Sequence, residues 1–377
     1  MAEYVISLEE ERQLRTELAD REDAEGKRLR RYLSLPDLSR IPGSPLFALV
    51  EQVKKLPLFQ TFDLITIPEI VSTEVSFDLF NFAPDHPARS RSDTYYVDEK
   101  HILRTHDTVM WYYYLTQPQV KAKIAARLPL GVLCYGKVYR KDEIDRRHMN
   151  VFHQMGGLYL APDSTPIPTI DDLKKVLTDI TQNLFGPKVN FRFNPDAFPY
   201  TDPSLEVEVE KGAQWIEILG GGLPREKVLA NFGVTNYHGW AFGFGLERLA
   251  ILNMNLPDIR LLWSDDPRVK KQLELGRQYA EVSKYPPITR DISFIVPDSF
   301  VPNNYFDLIR DLGGNLVEEV TLLDKYENAA KFGAGKVSYT FRLVYRHPER
   351  TLTNAEINDL DNKIRERTAG EFSASIR

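Results

Sequence analysis

The sequence is poor in cysteine, in long apolar runs and in excess positive charge. Its single cysteine, Cys134, excludes an intramolecular disulfide framework and fits a reducing compartment. Cys134 lies in an apolar, strand-like run, where we expect a buried and unreactive thiol. No apolar run approaches the ~18 residues that are needed to cross a bilayer. Because the net charge is −6, any binding to nucleic acid must use local basic patches.

The N-terminal residues lack the composition of a transit peptide. MAEYVISLEEERQLRTELADRED mixes acidic and basic residues, whereas a transit peptide is basic and poor in acids. Together with the single cysteine, this composition favours a cytoplasmic protein without a membrane anchor. Residues 7 to 32 have a helical pattern whose stripe is mostly charged, and we expect an exposed helix or an arm for a partner.

The composition is that of a globular enzyme, with 42% apolar, 27% charged and 11% aromatic residues. A chain of 377 residues is too long for one ordinary core, so we expect two or three domains. The predicted divisions are a helical arm and linker at 1–43, a catalytic domain at 44–265, a linker helix at 266–282 and a second domain at 283–377.

The patterns in residues 44–265 predict a largely antiparallel sheet flanked by helices. VNFRF, LEVEVE and QWIEILG alternate as strands do, whereas PLFALVEQVKKL, MWYYYLTQPQVKAKIAARL and DDLKKVLTDITQNLF are typical of helices. Strand pairs joined by hairpins outnumber strict βαβ units, which favours the α+β class. From residue 283 the order becomes βαββαβ, the pattern of a ferredoxin-like sandwich.

The stretch VYRKDEIDRRHMNVFHQ, residues 138–154, puts a run of charges between two strand-like arms. For an arbitrary charged loop, solvated surface is the better explanation. Here, however, Arg140 ends one apolar strand and Phe152 opens the returning one. A guanidinium offers two parallel donors to a phosphate, and an aromatic ring beside it can carry a purine. The stretch therefore indicates a nucleotide site.

A second arginine occurs in AFGFGLERLAIL, residues 241–252. Gly243 and Gly245 allow close backbone approach on a strand, and Arg248 begins the following helix. Alone, this pattern equally fits close packing. The sequence contains neither GxxxxGK[ST] nor GxGxxG, which excludes the P-loop and dinucleotide fingerprints.

Together, the two stretches resemble motifs 2 and 3 of class II aminoacyl-tRNA synthetases. Further segments follow the order of the phenylalanyl-tRNA synthetase catalytic domain, namely FDLFNFAPDHPARSRSDTYYV, ILRTHDT, FPYTDPSLEVEVE and QWIEILGGG. Motif 1 would be IPEIVSTEVSFDLF, with Pro68 as its proline. SKYPPITRDISF and the residues after it resemble the anticodon-binding domain of the single-chain, organellar-type form. The resemblance covers residues 44–377 and implies a class II sheet followed by a ferredoxin-like domain.

The resemblance implies a phenylalanine–tRNA ligase that uses ATP and Mg²⁺, binds tRNA and acts as a monomer. Arg140 and Arg248 would be the catalytic residues, at the α-phosphate and the γ-phosphate of ATP. The implied ATP-binding residues are Arg140, Glu143, His148, Phe152 and Arg248, and the implied magnesium ligand is Glu217. The implied amino-acid-binding residues are His106, Thr108, Gln154, Phe198, Tyr200 and Tyr96.

In the C-terminal domain, the candidates for tRNA contact are Lys336, Arg342, Arg346 and Arg350. Residues 283–377 contain 13 Lys and Arg against 14 Asp and Glu, so overall charge does not decide whether this domain binds RNA. Contact would depend on one basic face, with aromatic rings for stacking on bases. Each of these cations equally fits plain solvated surface.

The amino-acid pocket departs from the family pattern at three places. His106-Asp107-Thr108 replaces His-Thr-Ser, Met155-Gly156 lacks the usual glutamate, and Phe198-Pro199-Tyr200 replaces Phe-Pro-Phe. The family's glutamate is expected to help bind the substrate ammonium, and its loss would weaken binding by ~10²–10³. Asp107 is the candidate to replace that carboxylate; in a regular strand it would point away from His106 and Thr108, but a bulge or turn could reorient it. We therefore expect Gly156→Glu to tighten phenylalanine binding.

Two alternatives to this function stay open. A paralogous adenylating enzyme would act on another amino acid or on a non-tRNA acceptor, since the hydroxyl of Tyr200 favours a polar or bulkier side chain. A non-catalytic RNA-binding relative is the other alternative, and the intact arginines of the nucleotide site argue against it.

Overall fold

A computed structural model describes residues 2–141 and 145–377, which form two compact units, Met1–Tyr279 and Ala280–Arg377. The α-helices are α1 (Glu9–Asp20), α2 (Ala24–Ser34), α3 (Pro45–Lys54), α4 (Met110–Leu115), α5 (Pro118–Ala125), α6 (Ile170–Phe185), α7 (Glu226–Asn231), α8 (Leu246–Met254), α9 (Pro267–Lys270), α10 (Pro302–Gly313), α11 (Ala329–Phe332) and α12 (Asn354–Glu371). The strands are β1 (Glu3–Val5), β2 (Asp63–Thr66), β3 (Ile70–Ser72), β4 (His101–Leu103), β5 (Leu130–Tyr139), β6 (Val151–Pro162), β7 (Phe191–Asp196), β8 (Thr201–Lys211), β9 (Gln214–Pro224), β10 (Tyr237–Gly245), β11 (Ile288–Pro297), β12 (Val317–Glu327), β13 (Lys336–Tyr345) and β14 (Ser375–Ile376). None of the helices in these described ranges is long and apolar enough to cross a membrane.

The first unit is built on an eight-stranded sheet in the order β1-β2-β5-β6-β10-β9-β8-β7. β2 runs parallel to β1 and to β5, and the remaining neighbours are antiparallel. Hairpins join β5 to β6, β7 to β8 and β8 to β9, because a charged, a proline-containing and a glycine-containing segment, respectively, separate the strands. The predicted largely antiparallel sheet and the α+β class are confirmed.

Both faces of this sheet are covered, since successive residues of a strand point to opposite sides. On β5, Leu133 packs against α3, α6 and α8, whereas Val132 and Cys134 pack against α4 on the other face. Cys134 is buried, and burial raises the pKa of its thiol to about 12. The expectation of an unreactive thiol therefore agrees with the structure.

The N-terminal arm is docked on the first unit, so the expectation of an exposed or partner-binding helix is wrong. Two helices, α1 and α2, replace the single predicted one, and Asp23 caps the second. Leu14, Leu18 and Leu29 are buried in a cluster with residues of the catalytic domain. The apolar stripe is narrow but its leucines recur at helical spacing, and that is sufficient to dock the helices.

Two long predicted helices are shorter in the structure. The one predicted from Met110 breaks into α4 and α5, because Pro118 lacks the N–H that would continue the ladder and begins a new helix instead. The linker helix predicted at 266–282 is limited to the single turn α9. Beyond α9 the chain is irregular, with Leu273 and Tyr279 packed against the core.

The second unit has the βαββαβ order predicted for a ferredoxin-like domain, as β11-α10-β12-β13-α12-β14. Its four-stranded sheet has the order β12-β13-β11-β14 and is antiparallel. On β13 the odd-numbered residues from Val337 to Tyr345 are buried, whereas Lys336 and Arg342 lie on the opposite face. Thr353 and Glu356 form a capping box at the start of α12.

Candidate active site

A cavity of about 330 Å³ lies in the first unit, on the sheet face that carries α4. Its walls come from segments far apart in the sequence: the turn after β4, the ends of β5 and β6, the start of β8, the middle of β9, and the junction of β10 with α8. The predicted site residues that line it are His106, Thr108, Arg140, His148, Phe152, Gln154, Phe198, Tyr200, Glu217 and Arg248. The sheet therefore gathers residues that the sequence separates by more than a hundred positions.

Glycines make the floor of the cavity flat. Gly220 on β9 and Gly156 on β6 are both paired with Gly243 on the strand between them, β10. A side chain at Gly220 would meet the ring of Phe198 at 3.0 Å, and a side chain at Gly243 would stand in the cavity. Because the floor lacks side chains, a ligand can lie directly on the backbone of the sheet.

Arg140 stands at one side of this floor. Its Nε donates to the carbonyl oxygen of Thr105 at 2.9 Å, and its guanidinium carbon lies 5.3 Å from the centre of the Phe152 ring. These contacts hold the planar group in the cavity wall beside an aromatic face. The arrangement suits one phosphate and one flat ring, as the charged stretch 138–154 indicated.

Arg248 lies on the same cavity, in the first turn of α8. Its Nη1 donates to both the carbonyl oxygen and the Oε2 of Glu217, each at 3.1 Å. Glu206 lies nearby: burial raises its pKa, and the charge of Glu217 raises it further. The described residues contain no cluster of three or more metal-binding side chains. Mg²⁺ commonly uses one or two carboxylates together with substrate phosphates, so Glu217 and Glu206 fit this ion.

The loop between β5 and β6 brings His148 to the cavity. Asp145 holds it, accepting from the His148 backbone N–H at 2.8 Å and lying 2.9 Å from Nδ1. The carbonyl oxygen of Arg146 accepts from the N–H of Ile259 at 2.9 Å, which anchors the loop. The predicted ATP contact Glu143 lies outside the described residues.

His106 forms the buried end of the cavity. Its Nε2 lies 3.3 Å from the carbonyl oxygen of Ser76, while Nδ1 is buried and has no hydrogen-bond partner in the part of the chain that the structure describes. Burial lowers the pKa of His106 to about 3, and the nearby Arg140 charge acts in the same direction. The imidazole is therefore neutral at physiological pH, with Nδ1 as a bare acceptor if Nε2 carries the proton.

An aromatic wall surrounds this end. Tyr200 stacks on Phe198 with ring centres 5.9 Å apart and meets the edge of Trp111 at 5.7 Å. Burial raises the pKa of Tyr200, and a contact with the Thr108 hydroxyl acts in the opposite direction. Thr108 thus supplies the polar partner that the additional hydroxyl of Tyr200 requires.

The comparisons with known proteins identify the family. Residues 36–273 match the family of tRNA synthetases class II core domain (F), and residues 283–377 match the ferredoxin-fold anticodon binding domain. The chain is 39% identical over 331 residues to the chloroplastic/mitochondrial phenylalanine–tRNA ligase of Arabidopsis thaliana, covering 85% of this chain and 73% of the relative. It is 34% identical over 376 residues to the probable mitochondrial phenylalanine–tRNA ligase of Drosophila melanogaster, covering 85% and 80%.

The mitochondrial phenylalanine–tRNA ligase of Mus musculus is 33% identical over 371 residues, with 85% of this chain and 79% of the relative covered. The chain belongs to the phenylalanine–tRNA ligase family of class II tRNA synthetases. The resemblance seen in the sequence is confirmed. The expectation of a cytoplasmic protein is wrong, because these relatives are organellar enzymes and point to an organelle. The mixed charge of the N-terminus misled that prediction: these residues form folded helices.

One amino-acid-binding residue predicted for this phenylalanine–tRNA ligase lies elsewhere. Tyr96 is not among the described residues that line the cavity. Its hydroxyl donates to the carbonyl oxygen of Arg89 at 2.7 Å, and the Arg91 guanidinium covers its ring at 4.6 Å. Tyr96 is therefore part of the packing of a neighbouring loop.

The structure contradicts the premise of the predicted Gly156→Glu effect, namely free space beside Gly156. A Cβ at Gly156 would lie 3.0 Å from Cγ of Asp107 and from the carbonyl oxygen of Phe242, and closer still to Oδ2 of Asp107. The space is already filled. Asp107 reaches it because residues 107–109 form a 3-10 turn rather than the regular strand assumed from the sequence.

A buried pair missed by the sequence analysis holds the motifs together. Glu247, next to Arg248, accepts from the backbone N–H of His153 at 2.9 Å and from its Nδ1 at 2.6 Å. The other ring nitrogen accepts from the N–H of Leu38 at 2.9 Å. His153 therefore ties β6 to α8. The sequence signal for this pair was Glu247, a charged residue on the buried side of α8.

In the second unit, the structure places each predicted tRNA contact beside a carboxylate or at a strand end. Arg342 binds Asp291 through two nitrogens at 2.8 Å, and Arg350 binds Glu356 of the capping box. Arg346 binds Glu318 and the carbonyl oxygen of Tyr285, and its side chain is only 12% exposed. Lys336 is exposed at the start of β13. Contact with tRNA stays a prediction for all four.

Proposed function

We propose that this chain activates phenylalanine with ATP and transfers it to the terminal ribose of tRNA. One observation carries the proposal: Arg140 and Arg248 line the same cavity, on either side of a floor of glycines. In the first step, a carboxylate oxygen of phenylalanine attacks the α-phosphorus, and the bond to pyrophosphate breaks. In the second step, the 2′-OH of the tRNA attacks the adenylate and AMP leaves.

Arg140 is the proposed α-phosphate ligand. Because Thr105 and Phe152 fix its orientation, its charge is in place before the phosphorus becomes five-coordinate. A preorganised cation of this kind stabilises the added negative charge without reorganisation, and removal of one such donor costs about 10²–10³ in kcat. No covalent enzyme intermediate is required, since positioning and electrostatics are sufficient.

Arg248 is the proposed ligand of the γ-phosphate, and it flanks the adenine opposite Phe152. His148 contributes a donor to the outer phosphates, and Glu143 is proposed for the adenine edge. Glu217 and Glu206 would hold Mg²⁺, which neutralises charge on the leaving pyrophosphate when it is bound. The bond between Arg248 and Glu217 keeps these opposite charges paired until ATP and the cation separate them.

The other end of the cavity is the proposed amino-acid pocket. Phe198, Tyr200 and Trp111 supply apolar area for a phenyl ring, and Gln154 and Thr108 supply polar contacts. Oε1 of Gln154 accepts a hydrogen bond from the backbone N–H of Asp107 at 3.1 Å, and this bond orients the amide NH₂ of Gln154. The second unit would bind the tRNA through Lys336, Arg342, Arg346 and Arg350.

The relatives support a proposal on assembly and location. Relatives that align with 85% of this chain support a monomer, and their names support an organellar location. The alternative, a paralogue with another amino-acid substrate, is favoured by one observation only. The hydroxyl of Tyr200 lies in the otherwise aromatic wall and would suit a polar or bulkier side chain.

ATP–pyrophosphate exchange over the twenty amino acids tests the proposal. We expect phenylalanine to give the highest kcat/KM, and Arg140→Ala to lower that value by about 10²–10³. Arg12→Ala, which removes an exposed cation of α1, is the matched control. A higher kcat/KM with another amino acid would favour the paralogue, and ATP binding without any exchange would contradict both.

A further inference from the structure

A carboxylate oxygen that has no hydrogen-bond partner among the described residues lies in the wall of the amino-acid pocket. Asp107 is 4% exposed, and its Oδ2 is buried without a partner among the described residues. The same side chain belongs to the lining of the cavity. A buried carboxylate is costly unless a cation or donors meet it, so such a group in a cavity wall marks a place for a ligand.

The Asp107 carboxylate occupies the space that a side chain at Gly156 would fill. Its Oδ1 lies 3.5 Å from where a Cβ of Gly243 would stand. These two glycines are directly paired on neighbouring strands. They form a socket that accepts a carboxylate from the opposite wall, and a side chain at Gly156 would exclude it.

The turn at residues 107–109 aims Asp107 into this socket. His106 is still extended, with φ −157° and ψ 160°, and the chain then enters a 3-10 turn. The backbone N–H of Asp107 donates to Oε1 of Gln154 at 3.1 Å, which fixes the turn against β6. Asp107 therefore leaves the face that a regular strand would have given it.

Building on the proposed function, we propose that Asp107 binds the α-ammonium of the amino-acid substrate, and that Gly156 makes room for it. The negative charge that the family pattern places on β6 would then come from the facing turn. Gly156 and Asp107 then compensate for each other. The glycine lacks the carboxylate expected on one wall, and the aspartate supplies a carboxylate from the other. An ammonium is the ligand that matches a buried anion with an open lone pair.

The pH dependence of binding gives a readout that a purely structural aspartate would lack. Burial raises the pKa of Asp107 to about 7, and the charge of Arg104 opposes this rise. The other titratable or charged groups that face it are His106 on its own segment, Cys134 and Arg140 on or next to β5, and Tyr200 before β8.

Those neighbours keep their charge between pH 5.5 and about 8. Burial lowers the pKa of His106 to about 3 and raises the pKa of Cys134 to about 12 and that of Tyr200, so these three stay neutral. Ionised Asp107 is the form that binds the ammonium. The KM for phenylalanine should therefore rise about tenfold for each pH unit below about 7 and stay level above it.

The experiment is phenylalanine-dependent pyrophosphate exchange with the full chain. We expect Asp107→Asn to raise the KM for phenylalanine by about 10²-fold, to leave the KM for ATP within about threefold, and to abolish the pH dependence. Asp171→Asn, on the exposed face of α6, is the matched control. Gly156→Glu should be as damaging as Asp107→Asn, because it forces two carboxylates into one socket.

The double variant Asp107→Thr/Gly156→Glu returns the carboxylate to β6. We expect its KM for phenylalanine to lie within about tenfold of wild type, far below that of either single variant. An unchanged KM in Asp107→Asn, or a double variant no better than Gly156→Glu, would overturn the inference. If Asp107→Asn fails to fold, a pH-independent KM between pH 5.5 and 8 in wild type would do the same. Wild type without phenylalanine exchange would instead contradict the proposed function.

Discussion

The charges of the two units are arranged differently. In the first unit, buried charges face a cavity or lie in networks, as Asp107, Glu247 and Arg104 do. In the second unit, Arg342 and Arg350 form exposed pairs with neighbouring carboxylates. A charge removed from water has a large effect on its surroundings, whereas an exposed pair is screened. Chemistry is therefore expected in the first unit, and exchangeable contacts with a polyanion in the second.

The largest expected effect comes from the cavity cations. Arg248→Ala should lower kcat/KM for pyrophosphate exchange by about 10²-fold or more, since one phosphate-binding cation is lost and the charge of Glu217 is left uncompensated. The free energy of unfolding should change little, because the Arg248 side chain is 47% exposed. Arg192→Ala, which removes a similarly exposed arginine from β7, is the control. Equal activities of the two variants would contradict the assignment of Arg248.

A buried charge network outside the cavity should give the largest effect on stability. Glu69 accepts from the Tyr139 hydroxyl and from Arg15 of α1, both at 2.7 Å, and Lys137 lies 3.0 Å away. Glu69→Gln should lower the free energy of unfolding by about 3 kcal/mol, because Lys137 and Arg104 lose their carboxylate and Arg15 is left with Glu11. Denaturant unfolding measures this, with Glu9→Gln, on the exposed side of α1, as control.

The same network predicts a sign for the pH dependence of stability. Burial alone would raise the pKa of Glu69, but Lys137, Arg104 and the donors around it lower its pKa below the ordinary value. A lowered folded-state pKa contributes stability above the unfolded pKa, and this contribution is lost as the pH falls through the folded pKa. Wild type should therefore lose more stability than Glu69→Gln on acidification below about pH 4.5. Parallel losses would contradict the network.

Much of this was predictable from the sequence. Alternation in LEVEVE and QWIEILG predicted β8 and β9, and the arginines at 140 and 248 were expected on one sheet, where the cavity brings them together. The orientation of Asp107 was not predictable, because it depends on a turn that a pattern of alternating residues does not reveal. Tyr96 illustrates the same limit, since its position in a motif carried no information about the direction of its ring.

The docking of the N-terminal arm was not predicted from the sequence for a different reason. Leu14 and Leu18 are spaced by one helical turn, which is a signal for burial, but the charged residues around them outweighed it. The partner surface, which includes Tyr95 and Leu103, comes from a distant part of the chain. Docking depends on that surface, which cannot be inferred from the composition of the arm.

Among the glycines of the cavity floor, one substitution should affect mainly stability and another mainly activity. Gly221→Ala places a Cβ 2.6 Å from the carbonyl oxygen of Ala241 and should lower the free energy of unfolding by about 1–3 kcal/mol. In Gly243→Ala the nearest atom, Oδ1 of Asp107, is 3.5 Å away, so the fold should be unaffected. That methyl group stands in the cavity, however, and should raise the KM for ATP. Thermal unfolding and exchange kinetics of both variants test this distinction.

The smallest expected effect comes from the second unit. Arg342→Ala should leave pyrophosphate exchange unchanged and raise the KM for tRNA severalfold, because one phosphate contact is lost. The slope of log affinity against log salt should fall by about 1. Asp291→Asn, which releases the same arginine from its partner, should have the opposite effect on the KM for tRNA. Aminoacylation kinetics at two salt concentrations measure both, and unchanged tRNA kinetics in both variants would remove Arg342 from the tRNA surface.

A crystal structure with phenylalanine and a non-hydrolysable ATP analogue tests the central claim most directly. The account predicts the phosphates over Gly243, with the α-phosphate hydrogen-bonded to Arg140, the γ-phosphate to Arg248, and the ammonium of phenylalanine to Asp107. Phosphates bound away from either arginine, or an analogue outside this cavity, would contradict it.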